Sequence, residues 1–207
     1  MRKVLFANAA SAMAALLLAL LCLGAAAADF DAYKRVIIAG DPAPVLAMLR
    51  VDAGRAPLGR QGESLLHLAG SYAIGEQRSK MTAALLAAGA SVDARNLDGA
   101  TPLYWATGSD CADCVALLLK AGAQATARNA KGATALHVSG PQIAAMLIAA
   151  GADPKAADNE GNRPLHRMYH EAFLVVGVNA RNVHGFTPLH FAEIGRASCR
   201  ERVCLAV

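Results

Sequence analysis

Apolar residues in this chain recur in two alternating blocks separated by polar turns. One block reads Gly99-Ala-Thr-Pro-Leu-Tyr-Trp-Ala106. It returns as Gly132-Ala-Thr-Ala-Leu-His-Val-Ser139, Gly161-Asn-Arg-Pro-Leu-His-Arg-Met168 and Gly185-Phe-Thr-Pro-Leu-His-Phe-Ala192, with an earlier copy at Gly62-Glu-Ser-Leu-Leu-His-Leu-Ala69. The other block stands between copies of the first, as Leu85-Leu-Ala-Ala-Gly-Ala90, Leu118-Leu-Lys-Ala-Gly-Ala123 and Leu147-Ile-Ala-Ala-Gly-Ala152. From Gly62 the glycine-to-glycine spacings are 37, 33, 29 and 24. A period of a few tens of residues signals stacked units, none of which can bury its apolar face alone.

Each block predicts an element. Thr101 and Thr187 suit the N-cap of a helix whose first position is Pro102 or Pro188, because proline lacks an N–H that would be orphaned there anyway. The paired leucines fall on one face of a second helix, which Gly89, Gly122 or Gly151 ends in the left-handed conformation. Polar stretches such as Arg95-Asn-Leu-Asp-Gly99 and Arg128-Asn-Ala-Lys-Gly132 then read as projecting turns. The unit is turn, helix, turn, helix.

This pattern resembles the ankyrin repeat family from about Ala39 to Ala192, and the Gly99 to Lys131 unit matches the family pattern without a gap. The resemblance implies an all-α fold, an ankyrin-repeat solenoid of stacked helix-turn-helix units with projecting β-turns. A capping repeat spans 30–61, with Asp41 and Pro42 opening its second helix, and repeats start at 62, 99, 132, 161 and 185, the last incomplete. The first full repeat carries four extra residues around Ala73 to Lys80, and the third lacks four between its helices. The fourth is short enough that one helix must be truncated.

In the resembled family the turn tips and the inner helices touch a partner protein. Carried over by position, this gives Arg60, Gln61 and Glu63; Leu97, Asp98 and Ala100; Ala130, Lys131 and Ala133; Asn159, Glu160 and Asn162; and Val183, His184 and Phe186. Leu97 and Phe186 are the most informative, since apolar groups on tips otherwise sit in water. Arg95, Arg128 and Arg181 precede the tips at equivalent sites, as a row for an acidic partner or as solvated structural charges. His67, His137, His166 and His190 share one place in the repeat, where the family's histidine bonds backbone between neighbours. Equivalent positions in stacked units form a ladder rather than a metal cluster.

Five cysteines are present. Cys111-Ala-Asp-Cys114 falls at the start of a second helix, a place that stabilises a thiolate. Structural thiols, an inert disulfide and a redox pair all remain open. A lone C-x-x-C is only half a zinc site, so no metal is assigned. No paired carboxylates, nucleophile elbow or phosphate-binding glycine loop is visible, and no cofactor is expected.

The two ends read differently. Met1-Arg2-Lys3, the apolar run Ala12 to Leu23 and Ala26-Ala27-Ala28 have the order of an export signal, so 1–28 is expected to be a cleaved signal peptide. The apolar run is about a dozen residues, short of the roughly 20 that span a membrane. Beyond Ala192 the repeat rhythm stops. Ile194 to Val203 reads back into ATC GGA AGA GCG TCG TGT AGG GAA AGA GTG and resembles a translated sequencing adapter, so 193–207 is set aside as an artefact.

Composition changes the picture only after these ends are removed. The mean hydropathy of +0.33 is raised by the signal. The formal net charge of +4 falls to +1 between Asp29 and Ala192, where 15 Lys and Arg face 14 Asp and Glu. Bulk charge therefore gives no support to a nucleic-acid partner or an anionic membrane surface. The expected protein is a periplasmic or secreted scaffold that binds another protein, is not an enzyme, and has no stable membrane insertion after cleavage. The alternative is a periplasmic redox or peroxide-defence accessory protein using Cys111 and Cys114.

Overall fold

The computed structural model describes residues 30–51, 58–73, 75–167 and 181–188. The expected signal peptide, the 193–207 segment and His190 lie outside the described residues. Chain order is α1 (Phe30–Ala39), α2 (Pro42–Val51), α3 (Leu65–Tyr72), α4 (Gln77–Ala87), α5 (Pro102–Gly108), α6 (Ala112–Lys120), a 3-10 turn (Ala135–Val138), α7 (Pro141–Ala149) and α8 (Pro164–Arg167). Among the described residues there is no strand.

The predicted boundaries follow local chemistry. The Thr101 hydroxyl accepts the Tyr104 N–H at 3.3 Å, with Pro102 at the first helical position of α5. Asp41 does the same for α2, its carboxylate accepting the Ala43 N–H at 3.0 Å. At the other end, the amides of Gly122 and Ala123 donate to Leu119 and Leu118 carbonyls, closing α6 with Gly122 at φ 91°. Ala90 and Ala152 repeat the bond to Leu85 and Leu147.

First helices stack on first helices, α1 on α3 on α5 and then on the 3-10 turn, while α2, α4, α6 and α7 form a second row. The core lies between the rows. Leu66, Leu68, Leu103 and Leu136 enter it from one row, and Met81, Leu85, Val115, Leu118, Ile143 and Leu147 from the other, all essentially without solvent exposure. Tyr33 and Ile37 of α1 extend the same cluster, so α1 stands as the first helix of the capping repeat, ahead of the second helix that Asp41 and Pro42 open.

One expectation changes. The third repeat's first helix is a single 3-10 turn, because Pro141 starts the next helix and holds Gly140 extended at φ −76°, ψ 170°. The missing residues come off the helix itself, where the sequence suggested a shorter connection. In the first full repeat the extra residues are taken up near Gly75 (φ 56°), before α4 begins at Gln77. In the fourth repeat α8 is described over Pro164–Arg167, and residues 168–180 lie outside the described ones.

Tip and helix-end glycines face different surroundings, which gives a test of the stacking. Gly99 has φ 68°, and a Cβ there would sit 3.2 Å from the Ala130 amide nitrogen of the next tip; Gly122 has φ 91° and open space around it. Any side chain at either position carries the left-handed cost of about 1–2 kcal/mol. Gly99→Ala is expected to cost more than Gly122→Ala by about 1 kcal/mol or more in urea unfolding, because it also displaces the neighbouring tip. Equal losses would mean that the tips do not couple.

Candidate protein-interaction surface

Each tip is a short irregular segment whose backbone polar groups cannot pair within a helix. A side chain just before the tip satisfies several at once. The carboxamide oxygen of Asn129 accepts the amides of Lys131 and Ala133 at 3.0 and 2.9 Å; Asp158 serves Glu160 and Asn162 at 2.9 and 2.8 Å; Asn182 serves His184 and Phe186 at 3.0 and 2.9 Å. Asn96 accepts the Ala100 amide at 2.8 Å. Asn96, Asp158 and Asn182 are buried and Asn129 is half-buried, and a polar oxygen is stable there because it is bonded.

Consecutive tips are also bonded to one another. The Leu97 amide donates to the Gln61 carbonyl at 2.8 Å, Ala130 to Asp98 at 2.8 Å, Asn159 to Lys131 at 2.9 Å and Val183 to Glu160 at 3.1 Å. One bond per step, always from the residue after the Asn or Asp to the residue before the glycine, holds the row in register. The arginines reinforce it. Arg95 donates to the Gly99 and Arg128 carbonyls at 3.1 and 2.8 Å, Arg128 to Ala157, and Arg181 to Gly185 at 2.9 Å. Each guanidinium, although exposed, ties backbone within or between repeats.

The histidine ladder lies beneath the tips. His67 Nδ1 accepts the Ser64 N–H at 3.1 Å, so the proton sits on Nε2, which donates to the Ala100 carbonyl of the next repeat at 2.9 Å. His137 repeats the arrangement with Thr134 at 3.1 Å and Asn162 at 3.1 Å, and His166 Nδ1 accepts from the Arg163 amide at 3.0 Å. Tyr104 occupies this place in the second repeat. Among the described residues no three His, Cys, Asp or Glu side chains converge as metal ligands.

Of the tip residues read from the sequence, Arg60, Gln61, Leu97, Asp98, Ala130, Lys131, Asn159, Glu160, Val183, His184 and Phe186 are exposed and Glu63 is half-buried. Ala100, Ala133 and Asn162 are buried. They follow the tip glycine and turn inward, where their amides donate to the Asn or Asp side chain, so they leave the candidate surface. Leu97 is 78% exposed, Val183 68% and Phe186 41%.

The first-helix row adds a patch that sequence reading passed over. Tyr72 is exposed, with the Lys34 ammonium 4.7 Å above its ring; Trp105 stands 6.5 Å from it and meets the buried His67 ring edge-on at 5.5 Å. An aromatic and cationic strip therefore runs across α1, α3 and α5. The available signal was that Trp105 is the only tryptophan of the chain.

Cys111 and Cys114 are joined by a disulfide, with Cα atoms 5.3 Å apart, at the start of α6. A family model described as ankyrin repeats, in three copies, matches residues 38–158. The chain belongs to the ankyrin repeat family. Its repeats are accordingly a scaffold for protein–protein interaction. No curated protein sequence matches the chain. Among the described residues no helix is long and apolar enough to cross a membrane.

Burial pushes the His67 imidazole below its ordinary pKa near 6.5, against the opposing pull of the Ala100 carbonyl and the Glu63 charge. The unfolded chain then binds this proton at a higher pH than the folded ankyrin stack does. His67 thus contributes fully above pH 6.5, and stability falls as pH drops below that value toward the lowered folded pKa. Urea midpoints measured from pH 7.5 to 5 are expected to fall, and His67→Ala to flatten that part of the profile. At pH 7.5 the same substitution is expected to cost about 1–3 kcal/mol, since it strands the Ser64 amide and the bonding capacity of Ala100. An unchanged slope in the variant would show that His67 is not the titrating group.

Proposed function

We propose that this ankyrin protein is an exported, non-enzymatic scaffold that captures another protein along its tips and first-helix row. The observation that carries the reading is Leu97: a large aliphatic side chain 78% exposed on a turn whose backbone is fixed to both neighbouring tips. An apolar group held rigidly in water gains by burial at about 25 cal/mol per Å² and loses little conformational freedom on binding. Val183 and Phe186 place the same chemistry at the far end of the row, and Tyr72 and Trp105 supply aromatic anchors of the type enriched in interface hot spots. Export rests on the order of charge, apolar run and small residues over 1–28.

Site-specific photo-crosslinking in the cell that makes the protein tests the surface. A photoreactive residue at position 130 is expected to give a discrete protein adduct, whereas one at position 121, exposed at the end of α6, is not. Leu97→Asp is expected to weaken the adduct at 130 roughly tenfold or more, in line with a lost hot spot. Adducts of equal yield at both positions, or no effect of Leu97→Asp, would assign binding elsewhere. Fractionation decides the location: the mature chain should begin at Asp29 outside the cytoplasm, and a cytosolic protein retaining Met1 would contradict export.

A further inference from the structure

The disulfide between Cys111 and Cys114 does little to hold the stack together. Both residues belong to the start of one helix, three positions apart, so the bond closes the shortest of loops and ties no repeat to another. The entropic stabilisation of a cross-link is smaller the shorter the loop it closes. The two sulfurs are also unequal. Cys111 is the N-cap of α6 and is half-buried on the turn between helices, whereas Cys114, one helical turn on, has no exposure and packs in the core with Val115 and Leu118.

We propose that this pair is a thiol–disulfide exchange site for low-molecular-weight thiols, with Cys111 as the sulfur that exchanges and Cys114 as the sulfur that leaves and returns. Exchange requires in-line approach to the attacked sulfur from the side opposite its partner. Cys111 is partly exposed on the turn and so within reach of a small thiolate, whereas Cys114 has no exposure. In the reducing direction a small thiolate attacks Cys111 Sγ and forms a mixed disulfide; the Cys111–Cys114 bond breaks and Cys114 leaves as a thiolate that takes up a proton. A second small thiolate then attacks the small-molecule sulfur of the mixed disulfide. It releases the oxidised small disulfide and leaves the Cys111 thiolate. The net change is two electrons: one protein disulfide and two small thiols become one protein dithiol and one small disulfide.

The site's surroundings suit both forms. The Cys114 amide points at Cys111 Sγ at 3.4 Å, and the free amides of the first helical turn favour a Cys111 thiolate. Asp110 and Asp113, both exposed, oppose it. Arg78 of the preceding repeat brings a cation to the same turn, donating to the Ser109 carbonyl at 2.9 Å. Once reduced, Cys114 remains as a small core residue, a role free cysteine fills readily, so the ankyrin stack survives the cycle.

The test uses the full chain, reduced and then exposed to glutathione disulfide, with adducts located on the tryptic peptide Asn96–Lys120, which holds these two cysteines and no other. Circular dichroism checks folding. Cys114→Ser is expected to accumulate a glutathione adduct at Cys111 at least about tenfold faster than Cys111→Ser does at Cys114. The wild-type chain should pass through a transient adduct at Cys111 and finish as the internal disulfide. Equal rates, or a faster Cys114, would overturn the assignment of the exchanging sulfur. If a variant does not fold, the wild-type chain alone decides: a pair that stays oxidised in about 10 mM reduced glutathione overturns the proposal, and a ratio of dithiol to disulfide that follows the glutathione couple supports it.

Discussion

A turn that projects from a helical stack has backbone donors and acceptors that no helix can satisfy, and the rest of this structure follows from how they are met. Leaving such a group buried and unpaired costs about 1–3 kcal/mol. Here each tip after the first meets the need twice, through the Asn or Asp that precedes it and through the tip before it. His67 and His137 carry the same service one layer deeper, from a helix start to the carbonyl of the next repeat. A repeat is therefore complete only beside its neighbour, which is the physical content of a one-dimensional stack.

The same bonds make the tips usable as a surface. Loops on most proteins are mobile and lose freedom when they bind. These are fixed by their own neighbours, so side chains that vary from repeat to repeat stand on a constant frame. Leu97, Asp98, Ala130, Lys131, Asn159 and Glu160 occupy equivalent exposed places with different chemistry. The ankyrin frame thus separates the residues that hold the fold from those available to a partner. Of the C-x-x-C pair, Cys114 belongs to the core, whereas Cys111 lies on the turn between α5 and α6, and this location lets a redox event at Cys111 leave the tips undisturbed.

Much of this was legible in the sequence, because the signals are local. Thr101 with Pro102, Asp41 with Pro42 and the helix-ending Gly122 each specify a boundary within a few residues, and the structure places all of them where the chain pattern does. The shared position of the histidines already announced a ladder, which His67 and His137 form. What the sequence did not reveal depends on neighbours in space. Ala100, Ala133 and Asn162 look like tip residues by number, yet one step past the glycine the chain has turned inward. The third repeat kept its Thr and Leu but lost its first α-helix to Gly140-Pro141. Lys34, Tyr72 and Trp105 come from three separate repeats, and no periodicity announces their meeting.

Native-state hydrogen exchange of the tip amides tests the central claim most directly. Leu97, Ala130 and Asn159 are exposed residues whose amides nonetheless donate to the preceding tip at 2.8, 2.8 and 2.9 Å. If the stack is held as described, these three amides exchange slowly, through the same opening that releases the helices on either side. Exchange near the rate of an unfolded peptide at these positions, with the flanking helices still protected, would show that the tips are loosely attached and that each repeat satisfies its own backbone without its neighbour.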